Sequence, residues 1–233
     1  TFIVRTGNGG GNNITATGVD TIVYGGDGVD ALTGGAGNDS LYGQAGHDTL
    51  SGGAGNDIVS GGDGNDNLDG GAGDDIVSGG EGADALNGGD GNDIVNGGDD
   101  NDTIYWSVGD GRDFVDGQAN TAAGDRIIIN GNGDEETFNV YSNTDDGNGT
   151  DEGTLSSAAL AGFSDLNANT EIVITRHGVV VAELDNIEEI TINTGGGADT
   201  VNAIGNFNPT SLSINTITVN VGGGRVRADA TEL

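Results

Sequence analysis

The chain has 233 residues, 48 of them Gly and none Cys, with 38 Asp or Glu against six Arg, no Lys, and a formal charge of −32 at pH 7. That balance excludes nucleic acid and anionic membrane as natural partners, because phosphate binding runs on Lys and Arg. The lack of Cys excludes disulfides and thiolate metal sites, which leaves cations as the expected partner. No apolar run approaches the ~20 residues of a membrane-spanning helix, so no membrane insertion is expected. The opening TFIVRTGNGG lacks the order of a secretory signal peptide, so export would need another address.

In chain order, GNGGGNNIT offers Asn12 and Asn13, and TGVDTIVY offers Asp20 and Ile22, as imperfect forms of a pattern that becomes regular at Gly25. Residues 1–24 are read as degenerate N-terminal coils. From Gly25 the sequence runs GGDGVDALT, GGAGNDSLY, GQAGHDTLS, GGAGNDIVS, GGDGNDNLD, GGAGDDIVS, GGEGADALN, GGDGNDIVN and GGDDNDTIY without a gap to Tyr105. The sixth place is always Asp: Asp30, Asp39, Asp48, Asp57, Asp66, Asp75, Asp84, Asp93 and Asp102. The eighth is always aliphatic: Leu32, Leu41, Leu50, Val59, Leu68, Val77, Leu86, Val95 and Ile104. High charge with few aromatics usually signals disorder. Here the acid is periodic, and periodicity of this length marks a solenoid.

Each nonapeptide divides into a glycine turn, where positive φ carries no Cβ penalty, and a three-residue strand whose middle aliphatic faces inward. Nine residues give half a coil, so two nonapeptides make a flattened turn of about 18, with successive coils stacked as parallel strands about 4.8 Å apart. Alternate repeats then form opposite walls. Asp30, Asp48, Asp66, Asp84 and Asp102 line one edge; Asp39, Asp57, Asp75 and Asp93 line the other. Burying one aliphatic per repeat gains roughly 1.5–3 kcal/mol, while fixing nine backbones costs on the order of 1–2 kcal/mol each. Stacked carboxylates about 5 Å apart add a repulsion of roughly 3 kcal/mol at an effective dielectric near 20. Something positive must sit between them. An all-oxygen, flexible ligand set selects a hard cation, Ca²⁺ before Mg²⁺.

The nonapeptide GGxGxDxUx, with U aliphatic, resembles the calcium-binding repeat of the RTX (repeats-in-toxin, haemolysin-type) family, and the resemblance covers residues 25–105. It implies an all-β fold, a right-handed parallel β-roll. Around each ion it implies carbonyls from places one and three of one turn, places two and four of the turn about 18 residues on, and both sixth-place Asp side chains. In this chain the carbonyl positions are Gly25, Gly26, Asp27 and Gly28; Gly34, Gly35, Ala36 and Gly37; Gly43, Gln44, Ala45 and Gly46; Gly52, Gly53, Ala54 and Gly55; Gly61, Gly62, Asp63 and Gly64; Gly70, Gly71, Ala72 and Gly73; Gly79, Gly80, Glu81 and Gly82; Gly88, Gly89, Asp90 and Gly91; and Gly97, Gly98, Asp99 and Asp100. Same-column pairs predict about seven Ca²⁺, and Asp20 and Asp113 extend the count to about nine. The resemblance also implies bacterial type I secretion and folding outside the cell.

Gln44 replaces a second-place glycine, which costs little if only its carbonyl is used, and Asp100 replaces a fourth-place glycine. VGDGRDFVD restores the pattern with Asp113 and Val115 after two extra residues, so Trp106 and Ser107 are expected to bulge and close the roll over 25–116. From residue 117 the repeats stop. IIIN (127–130), TFNVY (137–141), EIVITRHGVVVAEL (171–184, a hairpin about His177 and Gly178), EEITINT (188–194) and SLSINTITVNV (211–221) read as strands of a β-rich C-terminal cap over 117–233. LSSAALAGF (155–163) has helical spacing. NTDDGNGTDEG (143–153) reads as a solvated loop, and GGGADTVN, with Asp199 and Val201, suggests that solenoid geometry recurs.

Catalysis finds no support. His47 occupies a variable fifth place and His177 a hairpin tip, both expected in solvent, and neither HExxH nor GxSxG occurs. The glycine turns carry Asp without Lys, which repels phosphate. Ile58, Ile76 and Ile94 fall on one outer wall with Phe114 next in line. Such a band predicts cover, by C-terminal strands folding back or by a second copy. The outward places lack the regular Thr ladder that ice binding would call for. The expected function is a calcium-binding structural or adhesive module of a secreted or cell-surface bacterial protein. The alternative is the calcium-dependent C-terminal RTX domain of a type I-secreted enzyme whose catalytic domain lies outside this chain.

Overall fold

The computed structural model describes residues 2–5, 9–118, 124–142, 172–204, 216–220 and 225–229. The predicted helix at 155–163, the acidic loop at 143–153 and the first residues of the 211–221 strand lie outside them. Twenty-one strands are formed and, among the described residues, no helix. They are β1 (Phe2–Arg5), β2 (Asn13–Thr15), β3 (Thr21–Asp27), β4 (Ala31–Ala36), β5 (Ser40–Ala45), β6 (Thr49–Ala54), β7 (Ile58–Asp63), β8 (Asn67–Ala72), β9 (Ile76–Glu81), β10 (Ala85–Asp90), β11 (Ile94–Asp99), β12 (Thr103–Ser107) and β13 (Asp113–Asp116). There follow β14 (Arg126–Asn130), β15 (Thr137–Ser142), β16 (Ile172–Arg176), β17 (Val179–Asp185), β18 (Glu189–Asn193), β19 (Thr200–Ile204), β20 (Thr216–Asn220) and β21 (Arg225–Asp229).

The strands alternate between two walls, as the nonapeptide period predicts. One wall has the order β1-β3-β5-β7-β9-β11-β13-β17-β16-β15-β19-β21 and the other β2-β4-β6-β8-β10-β12-β14-β18-β20. Within the repeats every pairing is parallel with an 18-residue register, for example Val59 with Val77 and Leu68 with Leu86. The eighth-place aliphatics from Leu32 to Ile104 stack in two files between the walls and are almost fully buried.

The strands are twice the expected length. A typical one, β7, spans places seven to nine and then places one to three of the next repeat, so the turn shrinks to Gly-x-Asp. Gly62 has φ +120° yet still pairs with Gly80 one coil on. A positive-φ glycine thus bends the strand round the corner without breaking the ladder. Gln44 adopts φ +86° at this second place, so its substitution is strained rather than neutral. Asp100 adopts φ +78° at the fourth place, which confirms the requirement there. Gln44→Gly is expected to raise stability by about 1 kcal/mol; a thermal midpoint in calcium that stays level or falls would contradict this.

Three further differences follow from the register. In β3 the inward residue is Val23, fully buried and paired with Leu41, not Ile22, and Thr21 takes the place of the sixth-position Asp. Trp106 does not bulge. It lies within β12, pairs with Ile129 and is 2% exposed, so the two extra residues complete a five-residue strand and put the one Trp into the core. The C-terminal strands do not fold back either. They continue both walls end to end, with one reversed strand, β16, whose hairpin to β17 turns at His177 and Gly178 with φ +50° and +81°. Ile58, Ile76 and Ile94 stack on one another, with Phe114 beyond, and remain 40%, 42% and 44% exposed. Among the described residues no strand folds back over this band, because the C-terminal strands extend the stack instead.

Candidate metal centre

Each sixth-place Asp stands at the corner of a coil, immediately before a strand, and turns its side chain inward, as does the aliphatic two residues on. The result is two columns of carboxylates buried as deeply as the core: Asp30, Asp48, Asp66, Asp84 and Asp102 on one edge, Asp39, Asp57, Asp75 and Asp93 on the other. One ladder joins each column. The N–H of Asp30 donates to Oδ1 of Asp48, Asp48 to Asp66, Asp66 to Asp84 and Asp84 to Asp102, all at 2.7–2.8 Å. Asp39, Asp57 and Asp75 donate in the same way to Asp57, Asp75 and Asp93.

The other oxygen decides the chemistry. Oδ2 is buried and has no hydrogen-bond partner in all nine of these Asp residues. Leaving a buried acceptor unmet costs a few kcal/mol, and more when it is ionised. Around it the main chain is close. A Cβ on Gly61 would collide with Asp66 Oδ2 and lie 2.8 Å from the Gly79 carbonyl oxygen, and Gly25, Gly43 and Gly97 repeat the arrangement. First-place glycines are therefore required for room rather than for φ: backbone oxygen and carboxylate share one small space. The third-place side chains of Asp27, Asp63, Glu81, Asp90 and Asp99 are exposed, so these residues can offer the column only main chain. No three His, Asp or Glu side chains converge as a ready-made cage among the described residues. The donor set is two carboxylates and several carbonyls, which suits Ca²⁺ with its six to eight oxygen ligands.

Electrostatics agree. Burial, opposed in part by the ladder N–H and reinforced by the neighbouring carboxylates, raises the pKa of Asp39, Asp48, Asp57 and Asp66. It pushes Asp75 and Asp102 to about 6 and Asp84 and Asp93 to about 7. Asp113 joins the second column, accepting the Asp93 N–H at 3.0 Å, and burial pushes it to about 8. Its counterpart on the next coil is Ala182, so the column ends there. Asp20 lies outside its column, exposed and accepting the Asn38 N–H at 3.1 Å, because Thr21 holds the register.

Both His side chains are exposed, as expected. His47 Nδ1 accepts the Asn65 N–H at 2.7 Å, one rung of an outer ladder in which Asn38 and Asn56 serve the next coil likewise. His177 Nε2 donates to the Glu135 carbonyl at 3.0 Å beside the hairpin.

Beyond the repeats the structure reveals column members that the sequence pattern hid. Asp125, fully buried, accepts the Asp102 N–H at 2.7 Å across 23 residues, and Glu188 accepts the Asp125 N–H at 2.6 Å across 63. On the other wall Glu136 donates its N–H to Asp199 at 3.0 Å, again across 63 residues. Here the chain supplies its own donors: Arg176 Nε reaches Glu136 at 2.9 Å, and Thr194 Oγ1 donates to Asp199 Oδ2 at 2.7 Å. Arg112 pairs with Glu183 in the same region. The visible signals were an acid two residues before an apolar side chain, at Asp125-Arg126-Ile127 and Glu136-Thr137-Phe138, and the GGGADTVN stretch that marked Asp199 with Val201. The contrast is informative. Protein donors meet the carboxylates at the C-terminal end, and none meets the nine Oδ2 atoms in the repeats.

Residues 6–41, 24–59, 42–77, 51–86 and 78–105 match the family described as RTX calcium-binding nonapeptide repeat (4 copies). No curated protein matches the chain. With an all-β stack of parallel coils, a file of buried aliphatics on each wall and a column of buried carboxylates on each edge, residues 6–105 carry the RTX calcium-binding nonapeptide repeat that the family model describes.

Proposed function

We propose that the chain is a calcium-stiffened structural or adhesive module of a bacterial protein displayed or released outside the cell. The observation that carries this reading is the set of nine buried, unpartnered Oδ2 atoms, stacked one per coil on each edge. In this reading the ions lie between consecutive Asp of a column and take their remaining ligands from the carbonyls of places one to four. Asp93 and Asp113 flank a further ion. The count is about seven to nine. Ca²⁺ supplies positive charge where the chain has none: residues 25–105 contain seventeen Asp or Glu and neither Lys nor Arg. Sites this buried have no room for the water that Mg²⁺ retains. Residues 1–24 serve as entry coils, 25–116 as the ion-bearing roll, and 117–233 as the end that closes it with apolar core and internal ion pairs. The exposed isoleucine stripe gives the rod one face suited to contact with a second copy.

Equilibrium dialysis against buffered calcium tests the reading. Asp66 flanks two sites, so Asp66→Asn is expected to lose about two ions relative to the parent and to need several-fold more calcium for folding. A parent that binds fewer than about five ions, or an Asp66→Asn protein with an unchanged count, would overturn it.

A further inference from the structure

We propose a cation site one coil beyond the nonapeptides, between the carboxylates of Asp102 and Asp125. It rests on the reading of the repeats as an ion column, and it concerns residues outside the matched segment, in a stretch that lacks GGxGxD. Asp102 is 2% exposed, and its Oδ2 is the last of the nine oxygens without a partner. From Asp30 to Asp84 each such oxygen shares its space with the first-place carbonyl of the following coil; at Asp102 that carbonyl belongs to Gly117. A Cβ on Gly97 would lie 2.5 Å from Asp102 Oδ2 and 2.9 Å from Gly117 O, the same pair of neighbours that Gly61 and Gly79 have.

The main-chain pairing of a repeat coil is reproduced there. The Asp102 N–H donates to Asp125 Oδ1 at 2.7 Å, and the Arg126 N–H donates to the Asp102 carbonyl at 3.0 Å, as Thr103 does to Asp84 at 2.9 Å. The outer ladder continues, with the Gly124 N–H donating to Asn101 Oδ1 at 2.7 Å. Gln118, in the second place, has φ +67°, as Gly98 has φ +122°. Gly117, in the first place, is buried, and a Cβ on it would collide with Asp125 Oδ2. On both sides of residues 119–123 the chain thus sits as in a repeat, although Asp102 and Asp125 are 23 residues apart where repeat neighbours are 18; Trp106 and Ser107 account for two of the extra residues and the stretch from Gly117 to Asp125 for three. Arg126, the nearest cation in sequence, reaches across to Thr103 Oγ1 at 3.3 Å.

The ligand chemistry is that of the repeats: two carboxylates with main-chain oxygen from Gly97 and Asp99 on one coil and Gln118 on the next. Asp125 immediately precedes β14, so an ion here ties the C-terminal strands to the roll, and Trp106 lies on β12, the strand that follows Asp102 and pairs with β14.

Calcium counting on the full chain tests this, with parent, Asp125→Asn and Asp66→Asn proteins at matched free calcium and Trp106 emission as a local readout. Asp125→Asn is expected to bind about one ion fewer, to keep the β signal of the repeats, and to shift the Trp106 transition to several-fold higher calcium. An unchanged count and unchanged Trp106 transition in Asp125→Asn, beside a loss in Asp66→Asn, would overturn the site and leave the ion column standing. No loss in either protein would overturn the column itself. If Asp125→Asn does not fold, long-wavelength anomalous diffraction from parent crystals grown with calcium decides. A peak between the two carboxylates supports the site, and peaks in the repeats without one there overturn it.

Discussion

Chelation of calcium is expected to abolish the β circular-dichroism signal of residues 25–116, the largest single effect available in this protein. The two files of aliphatics cannot hold the stack alone. Each repeat buries one such side chain, worth roughly 1.5–3 kcal/mol, against an ordering cost of about 1–2 kcal/mol for each backbone fixed. The columns add a repulsion of roughly 3 kcal/mol per stacked pair at an effective dielectric near 20. Removing the cations leaves only unfavourable terms at the nine Oδ2 atoms. Each interior Asp serves two ions, so calcium titration should be cooperative, with coil nucleating coil. Persistence of the full β signal in EGTA would refute this, and equal recovery with Mg²⁺ would refute the choice of ion.

Acid should substitute in part for the metal. Without calcium the folded-state pKa values of Asp75, Asp84, Asp93, Asp102 and Asp113 are raised by burial to about 6, 7, 7, 6 and 8, against 3.8 for a free Asp side chain. Between pH ~4 and ~8 the folded roll therefore holds more protons than the unfolded chain, and its stability falls as pH rises through that window. Metal-free protein is expected to show more β signal at pH 5 than at pH 8, while calcium affinity runs the other way because binding displaces those protons. The check is circular dichroism on calcium-stripped protein across this range, with sedimentation to confirm that it stays monomeric. A flat profile, or less structure at pH 5, would count against buried carboxylates as the source of instability.

The walls, the register and both columns were legible in the sequence because one residue type recurs at one spacing, and such a period admits few geometries. What escaped notice did so for definite reasons. Strand length was underestimated because glycine reads as turn, yet Gly62 pairs with Gly80 while bending. Val23 was missed for Ile22 because Asp20 drew the register one residue out of step, where Thr21 holds the column place. Glu188 and Asp125 carry no glycine signature, and their spacing of 63 residues hides a relation that is local only in three dimensions. Arg176 could not be matched to Glu136 at all, since nothing in a linear pattern says that a guanidinium will meet a carboxylate where the repeats rely on an ion.

The spacing between neighbours in a column has a consequence for what this scaffold can carry. One backbone-to-carboxylate bond of 2.7–3.0 Å joins coils whose partners stand 18, 20 or 23 residues apart, and the Glu136–Asp199 rung is as short at 63. The joint is indifferent to how much chain leaves the corner, provided that it returns in register. A rod built this way can take whole strands between two joined coils, as it does with β16, β17 and β18 between Glu136 and Asp199, and still close the rung.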